Sequence, residues 1–224
     1  DVFSMSPGEA LQLQNFEPDI EGGYKKILGT EKFNSNIVPQ VSASSERVVF
    51  TAIFNDVVLA GRGGSIHRGS SGSGSWTSTI TGLGTPTQNY EHRLFNFDGT
   101  DKIVITTGTS NPQILNTSFS TSVVNATGTS NFKFVEIFKN HIFFAGHSSN
   151  IQEVSFMGPN QTNDFTSNNG GGTIKVDAEI VGLRAFRDSL IIFGKDKIFK
   201  LTGSSSSNFA VTPITRNIGC TDGR

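Results

Sequence analysis

The residues of this 224-residue chain best suited to chemistry are few and poorly grouped. Four histidines, His67, His92, His141 and His147, are the natural candidates for metal ligation or proton transfer. None forms a His-x-His or His-Glu-x-x-His spacing, the arrangements that bring two imidazoles to one metal. His141 and His147 bracket the apolar run IFFA, so they stand at opposite ends of one strand. Asp98 and Asp101 in FDGTDK are two acids at a turn, short of the oxygen count a calcium site needs. No Gly-x-Ser-x-Gly elbow occurs, and the Ser-x-x-Lys match at Ser130 lies in a β context without partners. The glycines of NNGGGT (168–173) precede a strand and lack a Lys-Ser/Thr pair, so they read as a loop and not a phosphate cradle. A glycoside hydrolase would need two carboxylates converging on a channel. The acids read as scattered, with none repeating on inner-strand positions. No enzyme activity, metal or cofactor is expected.

Composition points away from several partners. A formal net charge of -1 gives no electrostatic basis for specific nucleic-acid binding or for a membrane surface. No run approaches the roughly 20 apolar residues of a membrane helix, and residues 1–20 lack a basic-then-apolar leader. The single cysteine, Cys220, forms no internal disulfide and fits a reducing compartment or a particle assembled in one. Against one Trp and two Tyr stand 19 Phe and 25 Gly, with Ser, Thr and Asn at most polar positions. Turn formers between short β-branched and aromatic stretches predict an all-β chain.

Those short strands recur in a fixed order. Phe54, Phe97, Phe138 and Phe186 are separated by 43, 41 and 48 residues. Each precedes a turn-forming pair: Asn55-Asp56, Asp98-Gly99, Lys139-Asn140 and Arg187-Asp188. An apolar strand ending near glycine follows (VVLAG, IVITTG, IFFAG, LIIFG). An isoleucine then opens another strand, at Ile66, Ile114, Ile151 and Ile198. A polar loop leads to a closing aromatic, Trp76, Phe119, Phe165 or Phe209, at spacings of 43, 46 and 44. The second repeat is the weakest, with an extra GTD in its turn. A period near 44 carrying three or four strands is the spacing of β-propeller blades. The expected architecture is a propeller-like array of about four antiparallel blades (46–88, 89–130, 131–175 and 176–215). Residues 216–224 read as the opening of a further unit, as though the blades belong to a larger propeller. The closing aromatics are expected to cover a blade edge or a blade-to-blade seam.

Residues 1–45 belong to no blade and read as an extended arm, with a tight turn around Glu17-Pro18-Asp19 and the pair Gly22-Gly23 before Tyr24. The stretch LQNFEPDIEGGYKKILGTEKF within this arm resembles the opening of tailed-bacteriophage virion proteins with a propeller core, of the tail-nozzle and tail-stabilising type. GLRAFRDSLIIFGKDKIFKLTGSSSSNFAVTPITRNIGC (182–220) resembles a blade common in such proteins. The resemblance implies a structural role in the virion, with other tail or neck proteins as partners and a homo-oligomeric ring, hexameric in nozzle-type members. The chain is much shorter than the nozzle proteins and shows no large inserted domain. Phe16, Pro18, Tyr24 and Lys25 are the expected contact residues of the arm, since an extended segment can add a strand to a partner's edge. The alternatives are closure of its own last blade by the arm, and a carbohydrate-binding propeller in which the periodic aromatics act as platforms on a host surface.

Overall fold

The hairpin turns set the register of the fold. Asn55 and Asp56 both adopt positive φ, 49° and 59°, and join β3 (Val48–Phe54) to β4 (Val57–Arg62). Two consecutive positive φ values match the right-handed twist of the flanking strands, which is why Asn and Asp favour such turns. Lys139 (47°) and Asn140 (59°) repeat the device between β11 (Phe134–Phe138) and β12 (His141–Ala145). Arg187 and Asp188 occupy the same place between β15 (Ile180–Phe186) and β16 (Ser189–Gly194). The second repeat differs. There residues 96–101 link β7 (Glu91–Phe95) to β8 (Lys102–Thr106), held by a Lys102–Asp98 ion pair of 2.6 Å. Phe95, paired with Lys102 and buried, takes the place that the spacing assigned to Phe97. Phe97 lies in the longer loop and packs its ring 4.8 Å from that of Phe95.

This computed structural model describes residues 31–39, 46–85, 88–124 and 131–221, with the backbone of two short N-terminal strands, β1 (Phe16–Pro18) and β2 (Tyr24–Lys26). The remaining strands are β5 (Ser65–Gly69), β6 (Thr77–Ile80), β9 (Gln113–Asn116), β10 (Thr121–Val123), β13 (Glu153–Phe156), β14 (Gly172–Lys175), β17 (Ile198–Thr202) and β18 (Ala210–Thr215). They form four antiparallel four-stranded meanders, β3–β6, β7–β10, β11–β14 and β15–β18, here called blades 1 to 4. The first strand of each blade is innermost, for β11 packs against both β7 and β15. Ile66, Ile114 and Ile198 stand in β5, β9 and β17 as their spacing predicts. Ile151 does not. It sits exposed in the turn before β13, and Val154 supplies the buried residue of that strand.

Three apolar seams join the blades. Phe54, Leu59 and Ile66 of blade 1 meet Ile103, Ile105 and Leu115 of blade 2. Val104 and Ile114 on the other face of blade 2 meet Val135, Ile142 and Phe144 of blade 3. Phe143, Val154 and Phe156 then meet Leu190, Ile192 and Leu201 of blade 4. Each buried Phe, Leu or Ile contributes about 1.5–3 kcal/mol, so a seam and not a single sheet is the unit of stability. Gly146 ends β12 at φ 75°, and a Cβ there would come within 2.8 Å of the Phe134 ring.

In the arm, β1 pairs with β2, Phe16 opposite Lys26 and Pro18 opposite Tyr24. Glu17 and Pro18 are therefore strand residues, and the chain reverses between Pro18 and Tyr24. The two strands form a sheet of their own, while β18 is the last strand of blade 4.

Candidate functional site

The inner strands bring four charged side chains together. Arg93, Glu136 and Arg184 each stand two residues before the phenylalanine that ends their strand, on blades 2, 3 and 4. Glu91 lies two residues before Arg93. Arg184 Nη1 donates to Glu91 Oε1 at 2.8 Å, and Arg93 Nε donates to Glu136 Oε1 at 2.9 Å. Arg93 Nη2 is 3.5 Å from Glu91 Oε1 and Arg184 Nη1 is 3.8 Å from Glu136 Oε2, which closes the circuit. The expectation of scattered acids is thus corrected, since Glu91 and Glu136 converge. Glu136 shares the step of Arg93 and Arg184 but Glu91 lies off it, so the sequence period does not reveal the two acids as a pair.

Both carboxylates are already occupied. The Val135 N–H donates to Glu91 Oε2 and the Ile137 N–H to Glu136 Oε1, each at 3.0 Å. Each glutamate side chain is only 9% exposed. Retaining or inverting glycosidases need one carboxyl to protonate the leaving oxygen and the other to attack or activate water. Here guanidinium and backbone donors hold both carboxylates, and the neutral cluster ties blades 2, 3 and 4 together. Beside it, burial and the Arg93 charge hold the His92 imidazole below its ordinary pKa. Among the described residues no group of three or more His, Cys, Asp or Glu could hold a metal ion.

The closing aromatics work in the seams. Phe119 of blade 2 packs edge-on to Phe54 of blade 1 at 5.9 Å, with Arg68 5.2 Å above its ring. Phe165 of blade 3 packs into the seam with blade 2. Phe209 of blade 4 contacts Phe143, Phe156 and His141 of blade 3 at 5.2–5.6 Å. Each reaches back to the preceding blade. Trp76, the closing aromatic of blade 1, has no preceding blade among the described residues. Its ring lies on Gly69, where a Cβ would come within 2.4 Å of it, and it tilts against Phe33. Its Nε1–H donates to the Asn36 carbonyl at 3.0 Å.

Trp76 marks one of two faces that have no neighbouring blade among the described residues. The far face of blade 1 carries Thr51, Ile53, Val58 and Ala60, of which Ile53 is 71% exposed and Ala60 is buried. An open groove of about 930 Å³ separates this face from residues 33–38. Beneath it His67 is buried with neither ring nitrogen hydrogen-bonded, and burial lowers its pKa. The far face of blade 4 carries Phe186, Ile191, Phe193 and Ile198, with Phe186 60% exposed. The blade 4 face is mixed, since Arg184 and the exposed Lys200 stand on it beside Ile191, and on the blade 1 face Ala60 and His67 are buried. The backbones of Phe16, Pro18, Tyr24 and Lys25 lie in the β1–β2 hairpin, and their side chains are outside the described residues.

No protein-family model and no curated protein matches the chain. Solved structures do. BBS1N, solved in complex with ARL6DN, matches 74% of this chain with 52% of its own, at 13% identity and a TM-score of 0.50. The computationally designed Ika8 protein matches 87% of this chain with 54% of its own, at 9% identity and a TM-score of 0.51. The extracellular domain of the putative one component system BT4673 from B. thetaiotaomicron matches 81% with 23% of its own, at 7% identity and a TM-score of 0.54. The chain therefore spans about half the length of the first two. Identities this low carry the fold alone. The chain is a propeller-like array of four antiparallel blades.

Proposed function

We propose that this chain is a structural component of a bacteriophage virion, of the tail, neck or nozzle type, that acts by protein–protein assembly. The observation that carries the assembly reading is the set of exposed or half-exposed apolar side chains on the end blades, Ile53 on blade 1 and Phe186, Ile191 and Phe193 on blade 4. Exposed apolar surface of this kind marks an interaction site. The axial cluster supports the same reading, because its two glutamates serve as structural ties. The virion assignment rests on the resemblance of the arm and of residues 182–220 to phage tail proteins. Partners are other virion proteins and further copies of the chain, in a ring that the resemblance makes hexameric. The carbohydrate-binding alternative lacks its periodic platform, since Phe119, Phe165 and Phe209 are spent in seams.

The experiment is mass spectrometry of purified, dissociated particles of a phage encoding the chain. Peptides from residues 131–221 at a fixed ratio to a known tail protein are expected. Their presence in infected cells and absence from particles would overturn the virion reading.

A further inference from the structure

We propose that the cleft at the outer rim of the seam between blades 3 and 4 receives the acidic tip of the arm, Asp19-Ile20-Glu21, from a second copy of the chain. The cleft opens where β14 ends, β17 begins and β18 ends, and encloses about 440 Å³. Its floor is apolar, made by Val176, Phe199 and Val211 of the seam. Its rim is basic, with Lys175, Lys197 and Arg216 around a single acid, Asp177. Both walls belong to neighbouring blades that the structure describes, so the shape of the cleft does not depend on what flanks blade 1 or blade 4.

The charges of the rim are unevenly used. Lys197 is committed to Asp177, with its Nζ 2.6 Å from the carboxylate. Lys175 is 80% exposed and its Nζ lies 3.7 Å from Glu153, while Arg216 is exposed and makes no ion pair among the described residues. The hydrogen bond from Lys197, and then the charges of Lys197 and Arg216, hold the Asp177 carboxyl below its ordinary pKa, so the cleft already favours a carboxylate. An apolar floor between two underused cations fits an apolar side chain flanked by acids. Asp19-Ile20-Glu21 has that order, and it lies outside the described residues, between β1 and β2 where the chain reverses. Residues 33–36 are fastened to residues 70–74 of blade 1, so the arm leaves the body two seams away from the cleft, which is assigned to the arm of another copy. Tip and cleft are different surfaces of one chain, so the contact is heterologous and closes into a ring or runs on, whatever the number of blades per copy.

This contact deepens the assembly reading and rests on it. Zero-length carbodiimide crosslinking of an equimolar mixture of unlabelled and heavy-nitrogen-labelled full chains tests it, because the reagent joins a carboxylate to a lysine amine only where the two touch. The expected products join a peptide carrying Asp19 or Glu21 to one carrying Lys175 or Lys197, with one partner light and the other heavy. The Asp177–Lys197 pair touches within every copy and serves as the internal control. Arg216→Glu removes none of these groups, and is expected to cut the mixed-isotope product at least about tenfold, since like charges then face each other. The control product and the circular dichroism spectrum should stay unchanged. Ile20→Ser is expected to lower the mixed-isotope product by a smaller factor. Tip-to-cleft products confined to same-isotope pairs would assign the cleft to the chain's own arm and overturn the proposal. Their absence at tens of micromolar with the control product present, or their persistence in Arg216→Glu, would also overturn it. None of these results bears on whether the chain is present in virions, so the two readings fail separately.

Discussion

Strands β12 and β16 are the same element of neighbouring blades, and they meet different surroundings. His141, Ile142, Phe143, Phe144 and Ala145 of β12 are all buried, because blade 3 has a neighbour on each side. In β16 burial alternates along an equally apolar run, because among the described residues blade 4 has a neighbouring blade on one side only. The difference teaches that the repeat encodes a sheet meant for two-sided burial, and that position in the array decides whether it receives it.

The sharpest way to break this comparison is to empty a two-sided position. Phe143 packs against Phe138, Phe156 and Phe209, and Phe143→Ala is expected to cost about 3–5 kcal/mol, read as a lowered urea midpoint. A loss below about 1 kcal/mol would mean that the seam repacks easily. Next comes the axial tie. Glu91→Leu removes the 2.8 Å partner of Arg184 and the acceptor of the Val135 N–H while Arg93 keeps Glu136, and is expected to cost about 3 kcal/mol. Adding Arg184→Leu should return part of that loss, and a double variant worse than the sum would show the tie to be illusory.

Within β16 itself, Ile192→Ala should cost about 2 kcal/mol more than Ile191→Ala in the monomer, since only Ile192 is packed in a seam. Equal losses would show that the far face is already covered. The smallest effect concerns acid. Burial lowers the pKa of His67, His92 and His141 from 6.5. The unfolded chain therefore takes up protons first as pH falls. These groups leave stability level above about pH 6.5 and reduce it below, by an amount that grows until the folded imidazoles titrate. Urea midpoints from about pH 7.5 down to 5 should show that decline. His141→Phe should shrink it, and an unchanged slope would remove His141 from the account.

Much of this fold is legible in the residues themselves. Asn55-Asp56 and Lys139-Asn140 announce hairpins through their tolerance of positive φ, and the apolar run after each is the next strand. Phe97 misleads because a six-residue connection replaces the two-residue turn, and Phe95 keeps the pairing register. Ile151 misleads because an isoleucine can end a loop, while Val154 carries the burial. The inner-strand cluster is half legible, since Arg93, Glu136 and Arg184 share one step of the repeat while Glu91 and the pairing itself do not show. Its members lie 93 residues apart at the extreme, on strands brought together only by the curvature of the array. The count of four units points to an array open at its ends, but which side chains stand exposed there depends on what lies beside a blade, and the blade's own pattern stays the same.

Trp76 is the only tryptophan of the chain and lies on the far face of blade 1, so its fluorescence reports on that face alone. The most direct measurement is acrylamide quenching of Trp76 across a dilution series. Quenching that weakens as concentration rises is the predicted result. Quenching that is the same at all concentrations in the unaltered chain would contradict the claim that copies of the chain assemble through this face.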